Sequence, residues 1–191
     1  MNLNLIIHVL FLFFFCLVLA AMETQIEGGA GWAKNLPTWK PDASKWYAKL
    51  YGKFMSGREL TLYHVTVFGL VFLFLHYPYF AGGNWNISLE LATLSIFFIV
   101  SVVWDFLWFV INPKYDFLDF WAQKVWWHKK WFLHLPIDYW FALIISFFLY
   151  VRIPFNLASV LEWLTVAGLF LGLTLVVMLI SDLGGILNKR K

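Results

Sequence analysis

The stretch WDFLWFVINPKYDFLDFWAQKVWWHKKWFLHLP, Trp104 to Pro136, holds the decisive transition of this chain. Its first residues read as lipid-facing helix, interrupted by Asp105. Beyond Ile111 it mixes tryptophans with acids, lysines and two histidines, His128 and His134. A carboxylate in the middle of a spanning helix costs about 2.5–3.5 kcal/mol on insertion scales, so it faces the bundle interior and takes a partner. The fold therefore depends on whether the sequence before Asp105 crosses a bilayer, and on what lies at the same depth.

Composition answers the first point. Of 191 residues, 62% are hydrophobic and only 13% charged, about half the share in a soluble domain. A spanning helix needs about 20 mostly apolar residues. Five stretches supply them: 3–21, 60–80, 87–111, the shorter 137–153, and 157–183. Turn-rich connectors at 81–86 and 152–156 make helical hairpins of spans two and three and of spans four and five. The predicted fold class is an all-α integral membrane bundle of about five transmembrane helices. Residues 1–21 form an anchor resembling a signal peptide, without the basic leading segment of one. Residues 22–59 form a loop, and residues 60–191 a four-helix bundle interrupted by an interfacial loop at 112–136.

Lysine and arginine placement orients the bundle. Taking the segments between spans alternately, thirteen of the fourteen lysines and arginines fall on one side and Arg152 alone on the other. This predicts an outer amino terminus, an inner carboxyl terminus and both long loops in the cytoplasm. There is no basic tract of the kind that binds nucleic acid.

Two loop segments are expected along the membrane surface. After Asp42, read as an N-cap, Trp46, Leu50 and Phe54 recur every four residues beside a stripe of Lys45, Lys49 and Lys53. That pattern sinks aromatics into lipid and holds ammonium groups at anionic headgroups. A second helix is expected over 116–131, with Phe117, Trp121, Val125 and His128 on one face. Trp126, Trp127, Lys129 and Lys130 there read as an aromatic belt with snorkelling lysines.

The remaining polar residues are placed by depth. His64 lies about 6 Å inside span two and Asp105 about 9 Å inside span three, measured from the same face at 1.5 Å per residue. With His128 and His134 on that side, the four can converge on one inner pocket, with Asp105 and His64 as its catalytic candidates. The same four are the candidate ligands of a divalent metal. No standard metal motif supports one: there is no H-E-x-x-H, C-x-x-C or di-iron E-x-x-H pair. Asp105 serves equally well as a structural pin, His64 as a packing residue and His134 as a turn residue. At the other end, His76 and Glu90 are placed to pair. Gly168 and Gly172 form a G-x-x-x-G pattern that brings helices close, within the chain, to a second copy or to another membrane protein.

The segments 104–113, 125–131 and 136–140, with GWAKNLPTW at 31–39, resemble an uncharacterised group of small prokaryotic polytopic membrane proteins. The resemblance spans about residues 28–140 and implies no activity. It is in keeping with a cytoplasmic membrane. Three function classes stay open. First comes a non-catalytic membrane subunit, assembly or lipid-associated factor. Second is an enzyme acting at the inner leaflet on a lipid-like substrate through the Asp/His site. Third is an ion or proton pathway along span three through Glu90, Ser101 and Asp105.

Overall fold

The computed structural model describes residues 3–115, 117–121, 123–152 and 155–183. Asp116 and the basic tail at 189–191 lie outside them. The chain is helical: α1 (Leu3–Glu27), α2 (Trp46–Phe54), α3 (Leu62–Phe80), α4 (Ile87–Ile111), α5 (Phe117–Trp121), α6 (Ile137–Val151) and α7 (Leu157–Leu183). Strands β1 (Trp131–Phe132) and β2 (Leu135–Pro136) form a minimal antiparallel hairpin, Trp131 opposite Pro136.

Four helices, α1, α3, α4 and α7, are long and apolar enough to cross a membrane. The apolar α6, with 15 residues, is shorter. Their boundaries follow local chemistry. Thr61 and Asn86 cap α3 and α4 by accepting the backbone N–H groups of His64 and Leu89. Helix α6 starts directly after Pro136 and stops at Arg152, whose φ of 60° leaves the helical region.

The core is built around α4, which packs against α1, α3, α6 and α7. Val9, Leu12, Cys16, Ile99, Val100, Leu107 and Phe170 are almost fully buried there. Ser95 on α4 donates to the Ser146 carbonyl on α6 and lies 2.8 Å from its hydroxyl, and Trp163 on α7 donates to that hydroxyl. Such a polar knot ties three helices at about 0.6 kcal/mol per hydrogen bond in a bilayer.

Three expectations are revised. Helix α1 does not stop at residue 21 but continues one and a half turns to Glu27, ending at Gly28, whose φ of 61° suits a glycine stop. Asp42 does not cap α2: its carboxylate accepts from the Ser44 N–H in a turn, and the helix begins at Trp46. The helix expected over 116–131 shrinks to the five residues of α5.

That loop instead wraps the end of α1. Asn112 donates to the Gly28 carbonyl, Tyr115 to Gly29 and Trp126 to Ala30. Three successive carbonyls past the helix end are thus satisfied by side chains from more than 80 residues away. Gly31 closes this arrangement. Its φ is 64°, and a Cβ there would lie 2.5 Å from the Trp127 ring. Only glycine lets the indole seat against the chain.

Candidate functional site

The carboxyl ends of α1 and α4 and the amino ends of α3 and α6 meet at one end of the bundle, called here the basic end because the lysine-bearing loops lie there. Helix α1 brings Glu23 and Glu27, one turn apart on one face. Helix α3 brings Tyr63 and His64 in its first turn. Helix α4 brings Asp105, and α6 brings Asp138 and Tyr139. A cavity of about 30 Å³ lies among Glu23, Glu27, His64, Asp105, Trp104 and Trp108.

Each group is held. Tyr63 donates to Glu23 at 3.3 Å, and the Ala33 backbone N–H donates to Glu27. His64 is gripped on three sides: its Nδ1 lies 2.7 Å from the Thr61 hydroxyl, Trp32 stacks on its ring at 4.1 Å, and Tyr63 meets it edge-on. Arg58 lies over the other face of Trp32, 4.4 Å from the ring centre. His64 Nε2 points at Glu27 Oε1, 3.6 Å away. The ligand atoms of Glu23, Glu27 and His64 all fall within 4.8 Å of one another.

Asp105 is held differently. One oxygen, Oδ2, accepts from His128 Nε2 at 3.2 Å and from the Tyr139 hydroxyl. Helices enclose the residue, yet 36% of its side chain is open, and it lines the cavity. Behind it, His128 Nδ1 lies 3.6 Å from Asp138, which is ion-paired to Arg58. Burial alone would lower the His128 pKa, but the carboxylates of Asp105 and Asp138 at its two nitrogens outweigh this and raise it above the ordinary histidine value. The row Arg58, Asp138, His128, Asp105 therefore alternates in charge from loop to cavity.

Of the sequence candidates, Asp105 and His64 share the cavity. His128 stands behind Asp105 rather than on the lipid surface, 4% exposed. His134 is not in the cluster: it occupies the β-hairpin turn and meets the Trp121 ring edge-on. Trp127 is 3% exposed and packs inside, so it is no lipid anchor. Trp126 is half exposed beneath the Lys34 ammonium. Lys129 and Lys130 are exposed, as are Lys45, Lys49 and Lys53 on α2. Trp46, Leu50 and Phe54 present an apolar face left largely open by the described residues. Gly168 and Gly172 are exposed, with nothing among the described residues within 4 Å of where a Cβ would stand.

Sequence reasoning missed Glu23, Glu27, Arg58, Asp138 and Tyr139. A signal for the first two existed. Gly28-Gly29 is a natural helix stop, and extending α1 to it puts both acids on one face. Comparison with protein families, curated proteins and solved structures returns no match. The functional reading rests on the residues themselves.

Proposed function

We propose that the protein is a five-span protein of the prokaryotic cytoplasmic membrane, amino terminus outside and carboxyl terminus inside, with an inner-leaflet site for chemistry on a lipid-like substrate. One observation carries this reading. Three carboxylates and one histidine, supplied by α1, α3 and α4, line a cavity in an otherwise apolar bundle, with His128 of the 112–136 loop behind one of the carboxylates. Intramembrane ionisable groups are expensive, and a group of them around a cavity is a functional site by default. Asp105, with one oxygen pinned and its side chain opening on the cavity, is the acid–base candidate, and His64 its neighbour on the far wall.

Two features favour an amphiphilic substrate. Tyr63, which donates to the cavity residue Glu23, lines an open groove of about 390 Å³ together with Leu36, Pro37, Trp39 and Leu62. Such a volume is in the range of small-molecule sites. Helix α2, with its bare aromatic face and lysine stripe, suits an anionic membrane surface.

A second reading, a non-catalytic subunit or assembly factor, is favoured by the exposed small-residue pair Gly168 and Gly172, which suits a partner helix or a second copy. An ion path along α4 is disfavoured. Ser101 turns back onto the Phe97 carbonyl, and Ile99 and Val100 are fully packed between the two ends.

The test is turnover. Purified protein and its Asp105→Asn variant are each incubated with a total polar-lipid extract and the products followed by mass spectrometry. The reading expects a lipid species altered by the wild type and not by the variant. Extracts left unchanged by both transfer the protein to the subunit reading.

A further inference from the structure

We infer that the basic-end cluster binds one divalent first-row transition-metal ion, with Glu23, Glu27 and His64 as its ligands and Asp105 facing it across the cavity. This deepens the reading above, placing a metal at the same site, and it stands on separate observations.

The first is ligand geometry. Zinc bonds to carboxylate oxygen and imidazole nitrogen run about 2.0–2.2 Å, so neighbouring ligand atoms in a tetrahedral shell stand roughly 3.3–3.5 Å apart. His64 Nε2 and Glu27 Oε1 are 3.6 Å apart, and no pair in the Glu23, Glu27, His64 set exceeds 4.8 Å. Small side-chain rotations close that set around an ion. The cavity of about 30 Å³ has room for an ion and one or two waters, since one water needs roughly 10–15 Å³ by the same kind of measure. It has no room for an organic cofactor.

The second is histidine orientation. A ligating histidine directs one ring nitrogen at the metal and hands its other N–H to an acceptor outside the metal's shell. His64 is placed to do this. Thr61 Oγ1 sits 2.7 Å from Nδ1 and also receives the His64 backbone N–H. In the tautomer protonated at Nδ1, Thr61 accepts that proton and the Nε2 lone pair is free; Nε2 has no hydrogen-bond partner among the described residues. The Trp32 stack fixes the ring plane.

The third is charge. Four carboxylates gather here: Glu23, Glu27, Asp105 and Asp138. Two cations answer them, Arg58 and the His128 imidazolium. The lysines of the surrounding loops are exposed and make no ion pair with these acids among the described residues. Glu23 and Glu27 stand one helical turn apart, and no lysine or arginine among the described residues pairs with either. A divalent ion, which displaces protons from its ligands as it binds, supplies the positive charge this pair lacks.

The fourth is a pair of indole donors. Trp104 and Trp108 line the cavity and are 2% and 3% exposed; the Trp108 indole N–H has no hydrogen-bond acceptor among the described residues, and that of Trp104 is directed at the Glu23 carboxylate without closing to a full hydrogen bond. A buried unpaired donor calls for an explanation. An oxygen carried on the metal, a water or hydroxide, is the acceptor such donors suit. Ligand softness sets the metal class. One imidazole with carboxylates and no thiolate suits zinc, manganese or ferrous iron, whereas magnesium and calcium prefer all-oxygen shells.

The experiment is elemental analysis of the full chain purified in detergent without chelator, for the wild type, Glu27→Gln, His64→Gln and, as an outer-end control, His76→Gln. Thermal unfolding of chelator-treated wild type, with and without added zinc, manganese or ferrous iron, accompanies it. The expected result is stoichiometric metal in wild type and His76→Gln and a loss of tenfold or more in both inner variants. Metal added back to the stripped wild type raises its melting point by about 5 °C or more. This second readout needs no variant to fold. Absence of metal together with no thermal response overturns the inference, as does metal retained undiminished in both inner variants. Metal present with no lipid turned over refutes the enzyme reading and leaves this site standing. Asp105-dependent turnover by metal-free protein does the reverse.

Discussion

The two ends of this bundle each pair histidine with carboxylate, and they differ in what is left over. At the end opposite the basic one, between α3 and α4, everything is answered. His76 Nδ1 meets the Phe72 carbonyl at 2.7 Å and Nε2 meets Glu90 at 3.0 Å, while Trp85 donates to the second Glu90 oxygen at 2.9 Å. Phe72 stacks on the His76 ring. One acid and one histidine close a hairpin, and no cavity adjoins them among the described residues. At the basic end, by contrast, acids outnumber cations, the Trp108 indole donor lacks an acceptor among the described residues, and a cavity separates groups that could have been packed together. A pair that satisfies itself is structural. A cluster in surplus is built for something else.

Substitutions sharpen that contrast. The largest effect is expected from Arg58→Ala, which strips Asp138 of its ion pair inside the protein. Breaking one partner of a buried pair costs about 3–5 kcal/mol, so the variant should lose much of its thermal stability in detergent. A melting point within a degree or two of wild type would mean that the alternating charge row does not hold the basic end together.

A pH series comes next. With its pKa raised in the fold, His128 contributes stability that is fully present below its unfolded value of about 6.5 and is lost as pH rises through its folded value. The wild-type melting point should fall by several degrees more than that of His128→Gln between neutral and mildly alkaline pH. Parallel profiles would contradict the imidazolium at this position. The pair at the opposite end provides the smaller counterpart. Glu90→Gln keeps an acceptor for Trp85 and turns an amide donor toward His76 Nε2, and should cost about 1 kcal/mol or less, leaving the basic end untouched. A larger loss would make the pair more than a clasp. Smallest of all, Gly168→Ala should change monomer stability by less than about 0.5 kcal/mol, since the added methyl meets nothing. A sizeable loss, concentration-dependent in native electrophoresis, would reveal a partner helix there.

The same contrast explains how much the sequence discloses. Helix α4 matches its apolar run because Asn86 and Asn112 bound it, and α7 begins just after the connector at 152–156. Asp105 and His64 stand out because a charge or imidazole in an apolar run is conspicuous. Glu23 and Glu27 do not, because they follow an apolar run already long enough to span, and only the Gly28 stop marks how far the helix continues. The 112–136 loop is the least legible. Its helical periodicity is real, but Val125 and Trp127 are buried against the end of α1, and that long-range packing overrides the local pattern. Arg58 and Asp138, 80 residues apart, meet only in the folded chain.

The most direct test of a surplus at one end and closure at the other is X-ray absorption at the zinc edge, on zinc-reconstituted full-length protein with its His64→Ala and His76→Ala variants. The account predicts a shell of oxygen and one imidazole nitrogen at about 2.0–2.1 Å, with the imidazole signal lost in His64→Ala and kept in His76→Ala. An imidazole signal that survives His64→Ala, or one that disappears with His76→Ala, would contradict it.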